Sequence, residues 1–180
     1  LSRKYRDYLT KSSFPYTLEL SRSKDIHSYL DGIYSSIVLK DIVARKKIAD
    51  AAMLENVIRF MFDNIGNPCS TTKIANTLKS SEHNISVHTV ENYLKALCES
   101  FVLYKADRYD IKGKQYLRSG AKYYVADIGL RYYLLGQKPA DLGHILENVV
   151  YLELLRRGYE VFVGKSDKSE IDFIAINEED

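Results

Sequence analysis

The sequence predicts an α/β (α+β) fold, and three observations carry that expectation. Apolar residues recur at helical spacing from about Lys24 to Leu97. The runs "FVLYKADRYD" and "KYYVAD", rich in Tyr, Val and Phe, then read as a strand pair. A last helix, "LGHILENVVYLELLRRG", feeds two further strands, "YEVFV" and "EIDFIAI". With 180 residues, 46% of them hydrophobic, the chain has material for one ordinary domain or two small ones. The order of its predicted elements divides it at 1–50, 51–126 and 127–180.

The first segment reads as a short helix over Ser2–Leu9, then an extended turn at "KSSFPY", because Phe14 precedes Pro15 and is held out of the helical region. A helix from about Lys24 to Ile48 follows, with Ser23 as its N-cap and Gly32 as a weak point. It ends in Arg45, Lys46 and Lys47, which suit either a solvated helix terminus or a phosphate-binding role. In the second segment "AAMLENVIRFMFDNIG" places Met53, Leu54, Val57, Ile58, Met61 and Phe62 on one stripe, ending at Gly66 and Pro68. Ser70 caps the next helix, whose buried face is Ile74, Ala75 and Leu78. After the polar turn "SEHNI", Ser86 caps a third, which turns Val87, Val90, Leu94 and Leu97 inward.

Three such helices, the last two joined by a short turn, make a helix-turn-helix. A basic hairpin comes directly after, turning through "IKGKQYLRSGA" with Gly113 and Gly120, which is the order of a winged helix. That order points to duplex DNA, with the third helix in the major groove and the hairpin on phosphates. The outward face of the third helix is centred on His88, Asn92, Lys95 and Glu99, with Glu91 close by. Asn92 suits adenine and Lys95 guanine. Residues 86–100 nevertheless carry one Lys against two Glu. Residues 101–140 instead carry eight Lys and Arg against three Asp and Glu, so the expected nucleic-acid contacts fall mainly on the wing: Lys112, Lys114, Arg118 and Lys122, with Lys105 and Arg108 nearby. A winged helix used only for protein contact or self-association is the alternative.

The last segment is acidic, with ten Asp and Glu against four Lys and Arg over 141–180. Asp127 can cap "IGLRYYLLG", and Arg156, Arg157 and Gly158 close the following helix. In "EIDFIAI" strict alternation puts Glu170, Asp172, Ile174 and Ile176 on one face, and a carboxylate there needs a partner, a metal or solvent. Glu147, on the preceding helix, lies within reach of Asp172. Glu147 also reads as an ordinary helix-surface acid, and Glu153 is equally available. "GYEVFVGKS" imitates a phosphate-binding loop but fails: position 159 is Tyr rather than Gly, and the segment joins two strands rather than a strand to a helix. Cys69 and Cys98 read as buried thiols. No apolar run approaches the ~20 residues of a membrane span. Leu1–Thr10 is too charged for a signal peptide, so a cytoplasmic protein without membrane contact is expected.

"LENVVYLELLRRGYEVFVGKSDKSEIDFIA", preceded by "KYYVADIGLRYYLLG" and by the helix-turn-helix with "FVLYKADRYDIKGKQY", resembles the C-terminal half of a prokaryotic group of AAA-superfamily ATPases. In that group a P-loop ATPase core and helical lid precede a winged helix and a PD-(D/E)XK nuclease-like domain. The resemblance implies that 1–50 is the end of the lid, with "KSSFPY" at a "GGFP"-like turn, that 51–126 is the winged helix, and that 127–180 is an incomplete nuclease-like unit. It implies ATP and Mg²⁺ for the parent protein, none in this chain, and the ATPase core as a partner in cis. By the resemblance Glu147 and Asp172 would be the acids of the nuclease-like site, its candidate catalytic residues and Mg²⁺ ligands. The Glu/Gln-x-Lys strand of that site would lie beyond Asp180, so the chain alone is expected to be inactive. Three functions are then in view: a DNA-associated regulatory half of an ATPase, a protein-interaction or oligomerisation module, and part of a metal-dependent nuclease.

Overall fold

The computed structural model describes residues 11–80, 84–113, 115–136, 141–166 and 169–177, and only the backbone of Ile37, Val38, Arg118 and Ser119. It shows a mixed α/β fold. The helix expected over Ser2–Leu9 lies outside the described residues. After a 3₁₀ turn at Pro15–Leu18, helix α1 (Ser23–Ile33) runs through Gly32 without a break. It widens into a π-helical stretch at Tyr34–Asp41 and continues as α2 (Ile42–Lys46). Ser23 is the first helical residue rather than the cap, which is Arg22. No helix among the described residues is long and apolar enough to cross a membrane.

Helices α3 (Ala51–Asp63), α4 (Thr71–Ser80) and α5 (Val87–Glu99) follow. Their starts are fixed by side chains that satisfy otherwise orphaned amides: Asp50 accepts from Met53 N, Ser70 from Lys73 N and Ser86 from Thr89 N. All six apolar residues expected on α3 are buried, as are Ile74, Ala75 and Leu78 of α4. With Val90, Leu94 and Leu97 of α5 they form the larger core.

Strands β1 (Leu103–Asp110), β2 (Gln115–Val125), β3 (Glu160–Ser166) and β4 (Ser169–Ile176) make one four-stranded sheet in the order β2-β1-β3-β4. β1 is antiparallel to β2 and parallel to β3, and β3 is antiparallel to β4. The hairpin expected as the wing is therefore one half of a sheet whose other half comes from the last segment. β2 is also longer than expected. Its register slips where four residues, Arg118 to Ala121, stand opposite Asp107, and Gly120 takes a positive φ of 83° there.

Between β2 and β3 lie α6 (Ile128–Leu135) and α7 (Leu142–Arg156). Asp127 caps α6 through Leu130 N at 2.7 Å. Its other oxygen accepts from Ser12 Oγ, Ser13 N and Ser13 Oγ, which fastens the "KSSFPY" turn to this helix. The two approach so closely that a Cβ on Gly129 would lie 2.4 Å from that of Ser12. The smaller core, Ala106, Tyr124, Tyr151, Val161 and Val163, lies between the sheet and α7.

Candidate functional site

Helix α5 presents two faces because its apolar residues recur every three or four positions. Val90, Tyr93, Leu94, Ala96 and Leu97 are buried, and His88, Asn92 and Lys95 are exposed on the opposite side. The side chains of His88 and Lys95 keep 81% and 76% of their surface, so both face solvent. His88 and Asn92 are hydrogen-bonded at 3.2 Å, and Glu91 lies 4.0 Å from His88. The expected grouping of these three residues on one surface is present.

A second basic element joins that surface. The turn after α2 lies against α5, and the two enclose an open groove of about 540 Å³ lined by Lys46, Lys47, Asn92, Lys95 and Glu99 among others. Lys46 bonds Glu99, Lys95 Nζ lies 3.8 Å from the same carboxylate, and Arg45 donates to Ser100 Oγ at 2.7 Å. The bond from Lys46, reinforced by the surrounding cations, holds the Glu99 carboxyl below its usual range. Sequence reasoning placed Arg45–Lys47 at a helix end without linking it to α5. The signal was tertiary.

The wing cations separate. Lys112 is exposed in the β1–β2 turn, Lys105 pairs with Asp107 at 2.6 Å, and Arg108 lies 3.9 Å from Glu170. Lys114 and the Arg118 side chain lie outside the described residues. Lys122 corrects the expectation for it: only 3% exposed, it points to the α7 side of the sheet and is out of reach of a phosphate. The four-residue irregularity before it resets the alternation of β2, which no pattern in "YLRSGAKYYV" announces.

Lys122 instead gathers the acids of the last segment. Its Nζ lies 2.8 Å from Glu170 Oε1, 3.0 Å from Glu147 Oε1 and 3.9 Å from Asp172 Oδ1. Tyr124 also donates to Glu147 Oε1, at 2.7 Å. Burial pushes the Lys122 ammonium pKa down, but the bonds and charges of Glu170 and Glu147 outweigh it, and the net shift is upward. Burial and the neighbouring carboxylate together raise the Tyr124 phenol far above its ordinary value.

A β-bulge in β4 explains this geometry. The register passes from Phe162 opposite Ile174 to Gly164 opposite Ile171, which leaves Asp172 and Phe173 both facing Val163. The strict alternation read from the sequence therefore fails at Asp172. Glu170 turns to Lys122, and Phe173 packs on Tyr124 and Tyr151 at 5.8 and 5.9 Å. Ile171 and Ile174 share the other face, over Gly164.

Glu147 and Asp172 do line one open cavity of about 570 Å³, together with His144, Val150 and Phe173. Asp172 remains 72% exposed there. As arranged, these residues do not fit a resident Mg²⁺. The ammonium of Lys122 stands between the carboxylates, and among the described residues no three His, Cys, Asp or Glu side chains cluster tightly enough to hold a metal ion. Glu153 is elsewhere, bonded to Arg156 and Arg157, which hold its carboxyl down at about 2. Sequence reasoning missed Asn148. Fully buried on α7, it accepts from Val125 N at 2.8 Å and donates to Val125 O at 3.0 Å, locking the helix to the end of β2.

The chain is 45% identical to an uncharacterized protein of Haemophilus influenzae over 171 residues, which is 95% of this chain and 42% of that protein. It is 31% identical to an uncharacterized protein of Methanocaldococcus jannaschii over 157 residues, 85% of this chain and 34% of that one. The chain thus spans less than half the length of these curated relatives. No solved structure matches it. Residues 2–141 match the family described as a domain of unknown function, DUF8612, and the chain belongs to that family.

Proposed function

We propose that this chain is the DNA-associated regulatory part of a larger P-loop ATPase, and that it meets duplex DNA through the outer face of α5. The observation that carries the reading is the helix-turn-helix α3–α4–α5. Its third helix is held by a continuous apolar face and leaves His88, Asn92 and Lys95 exposed on the other. A helix held in this way can enter a major groove, where Asn92 and Lys95 are suited to base edges. The ATPase assignment rests on the sequence resemblance, and the greater length of the relatives leaves room for such a core. In this reading the weight shifts from the hairpin toward α5, because Lys122 is committed to the interior.

Anisotropy titrations of a labelled duplex at two salt concentrations test the reading. Binding should weaken as salt rises, and Asn92→Ala with Lys95→Ala should weaken it further at both concentrations. No binding at low salt, or binding indifferent to both substitutions, would remove α5 as the interface and favour a protein-contact module.

A further inference from the structure

Resting on the reading of α5 as the nucleic-acid face, we infer that the Lys46–Lys47 turn between α2 and α3 is a second contact element, which grips a backbone phosphate of the duplex seated on α5. The groove between the turn and the helix carries three lysines, Lys46, Lys47 and Lys95, against one acid, Glu99. Glu99 receives Lys46 on one carboxylate oxygen and faces Lys95 with the other. Its charge is therefore spent within the groove, and Lys47 has no carboxylate within ion-pair distance among the described residues. Arg45 and Lys46 both bond to the end of α5, whereas, among the described residues, Lys47, the C-cap of α2, has its ammonium uncommitted at the groove.

The turn is also built to stay in place. Lys47 adopts a left-handed conformation, φ 51°, and its N–H closes α2 onto Ala44 O and Val43 O. Ile48 N bonds Val43 O at 3.0 Å, and Asp50 then caps α3. From the opposite side of the groove, Tyr93 of α5 donates to Asp50 O at 3.2 Å, so turn and helix are tied together. The backbone that carries Lys46 and Lys47 is thus fixed at the edge of α5, and the Lys46 ammonium is held there by Glu99. That is where the sugar–phosphate backbone runs when a helix occupies a major groove.

Salt-dependent anisotropy with a fluorescent duplex of mixed sequence tests the inference. Variants are Lys47→Gly, which suits the left-handed position, Lys47→Glu, Lys47→Arg, and Lys79→Ala on α4 as control. Lys47→Gly should flatten the slope of log K against log salt by about one. Lys47→Glu should reduce affinity further, and Lys47→Arg and Lys79→Ala should match the unmodified protein. A Lys47→Gly slope equal to that of the unmodified protein, with Lys95→Ala still weakening binding, overturns the inference and leaves the α5 reading standing. If the unmodified protein does not bind at low salt, both fall. Inorganic phosphate is added at constant ionic strength in a parallel series. Phosphate binding that is lost in Lys47→Gly, while duplex affinity and its salt slope stay unchanged, would identify a free-phosphate site and also overturn the inference.

Discussion

Replacing Lys122 by Met tests whether the buried ammonium is what holds α7, β2 and β4 together. The side chain is 4% exposed and bonds Glu147 and Glu170, whose side chains keep 16% and 34% of their surface. Removing one partner of a buried ion pair costs about 3–5 kcal/mol, because the remaining charge is stranded. Solvent reaches Glu170, and Tyr124 still donates to Glu147, so the lower end of that range, about 3 kcal/mol, is expected. In a domain of this size that corresponds to a melting point lower by roughly 10 °C. Urea unfolding followed by circular dichroism measures it, and Lys122→Met with Glu147→Gln should recover part of the loss by removing one stranded charge.

The pH dependence carries a sign of its own. Because folding raises the Lys122 pKa, its stabilisation is complete below the unfolded value of about 10.4 and disappears as pH rises through the higher folded value. The unmodified protein should therefore lose stability at strongly alkaline pH, and Lys122→Met should lack that part of the decline. A cost below about 1 kcal/mol, with no change in the alkaline limb, would refute the account of Lys122 as the charge that reconciles three acids.

Two further outcomes follow from local geometry. Phe101 is 69% exposed and left-handed, φ 54°, in the position after a helix that glycine usually fills, so Phe101→Gly should stabilise by about 1 kcal/mol. A lower urea midpoint at unchanged m would contradict this. Burial pushes the Cys98 thiol up to about 11 and raises Cys69 as well, and both are free thiols. At pH 8 a thiol-specific disulfide reagent should label the native chain at least a hundredfold more slowly than the unfolded chain, and rapid native labelling would count against that burial.

The helical half was readable because local signals and burial agree in it. The stripe from Met53 to Phe62, the caps at Ser70 and Ser86, and the inward face of α5 need only period and capping chemistry. The cap at Asp127 was legible too. The sheet was less so, because its register depends on two irregularities that strand alternation does not encode. One moved Lys122 from an expected phosphate contact to the interior. The other turned Glu170 and Phe173 to the same side as α7. The pairing of β1 with β3 joins residues more than fifty apart, and neither strand alone specifies its neighbour. Of the candidate site, His88, Asn92 and Lys95 were found by helical periodicity. Lys46 and Lys47 were visible as charges, but their place beside α5 depends on tertiary contacts such as that of Tyr93 with Asp50.

The shared sheet has a consequence for any attempt to isolate the family domain. The matched segment stops at 141, before α7, β3 and β4, yet β3 pairs with β1 and α7 covers Ala106 and Tyr124. A fragment cut there would leave the β1 edge unpaired beside an uncovered apolar face, the arrangement that recruits strands from other molecules. Such a fragment should self-associate more readily than the 180-residue chain, because the sheet that completes β1 runs past the boundary that sequence similarity draws.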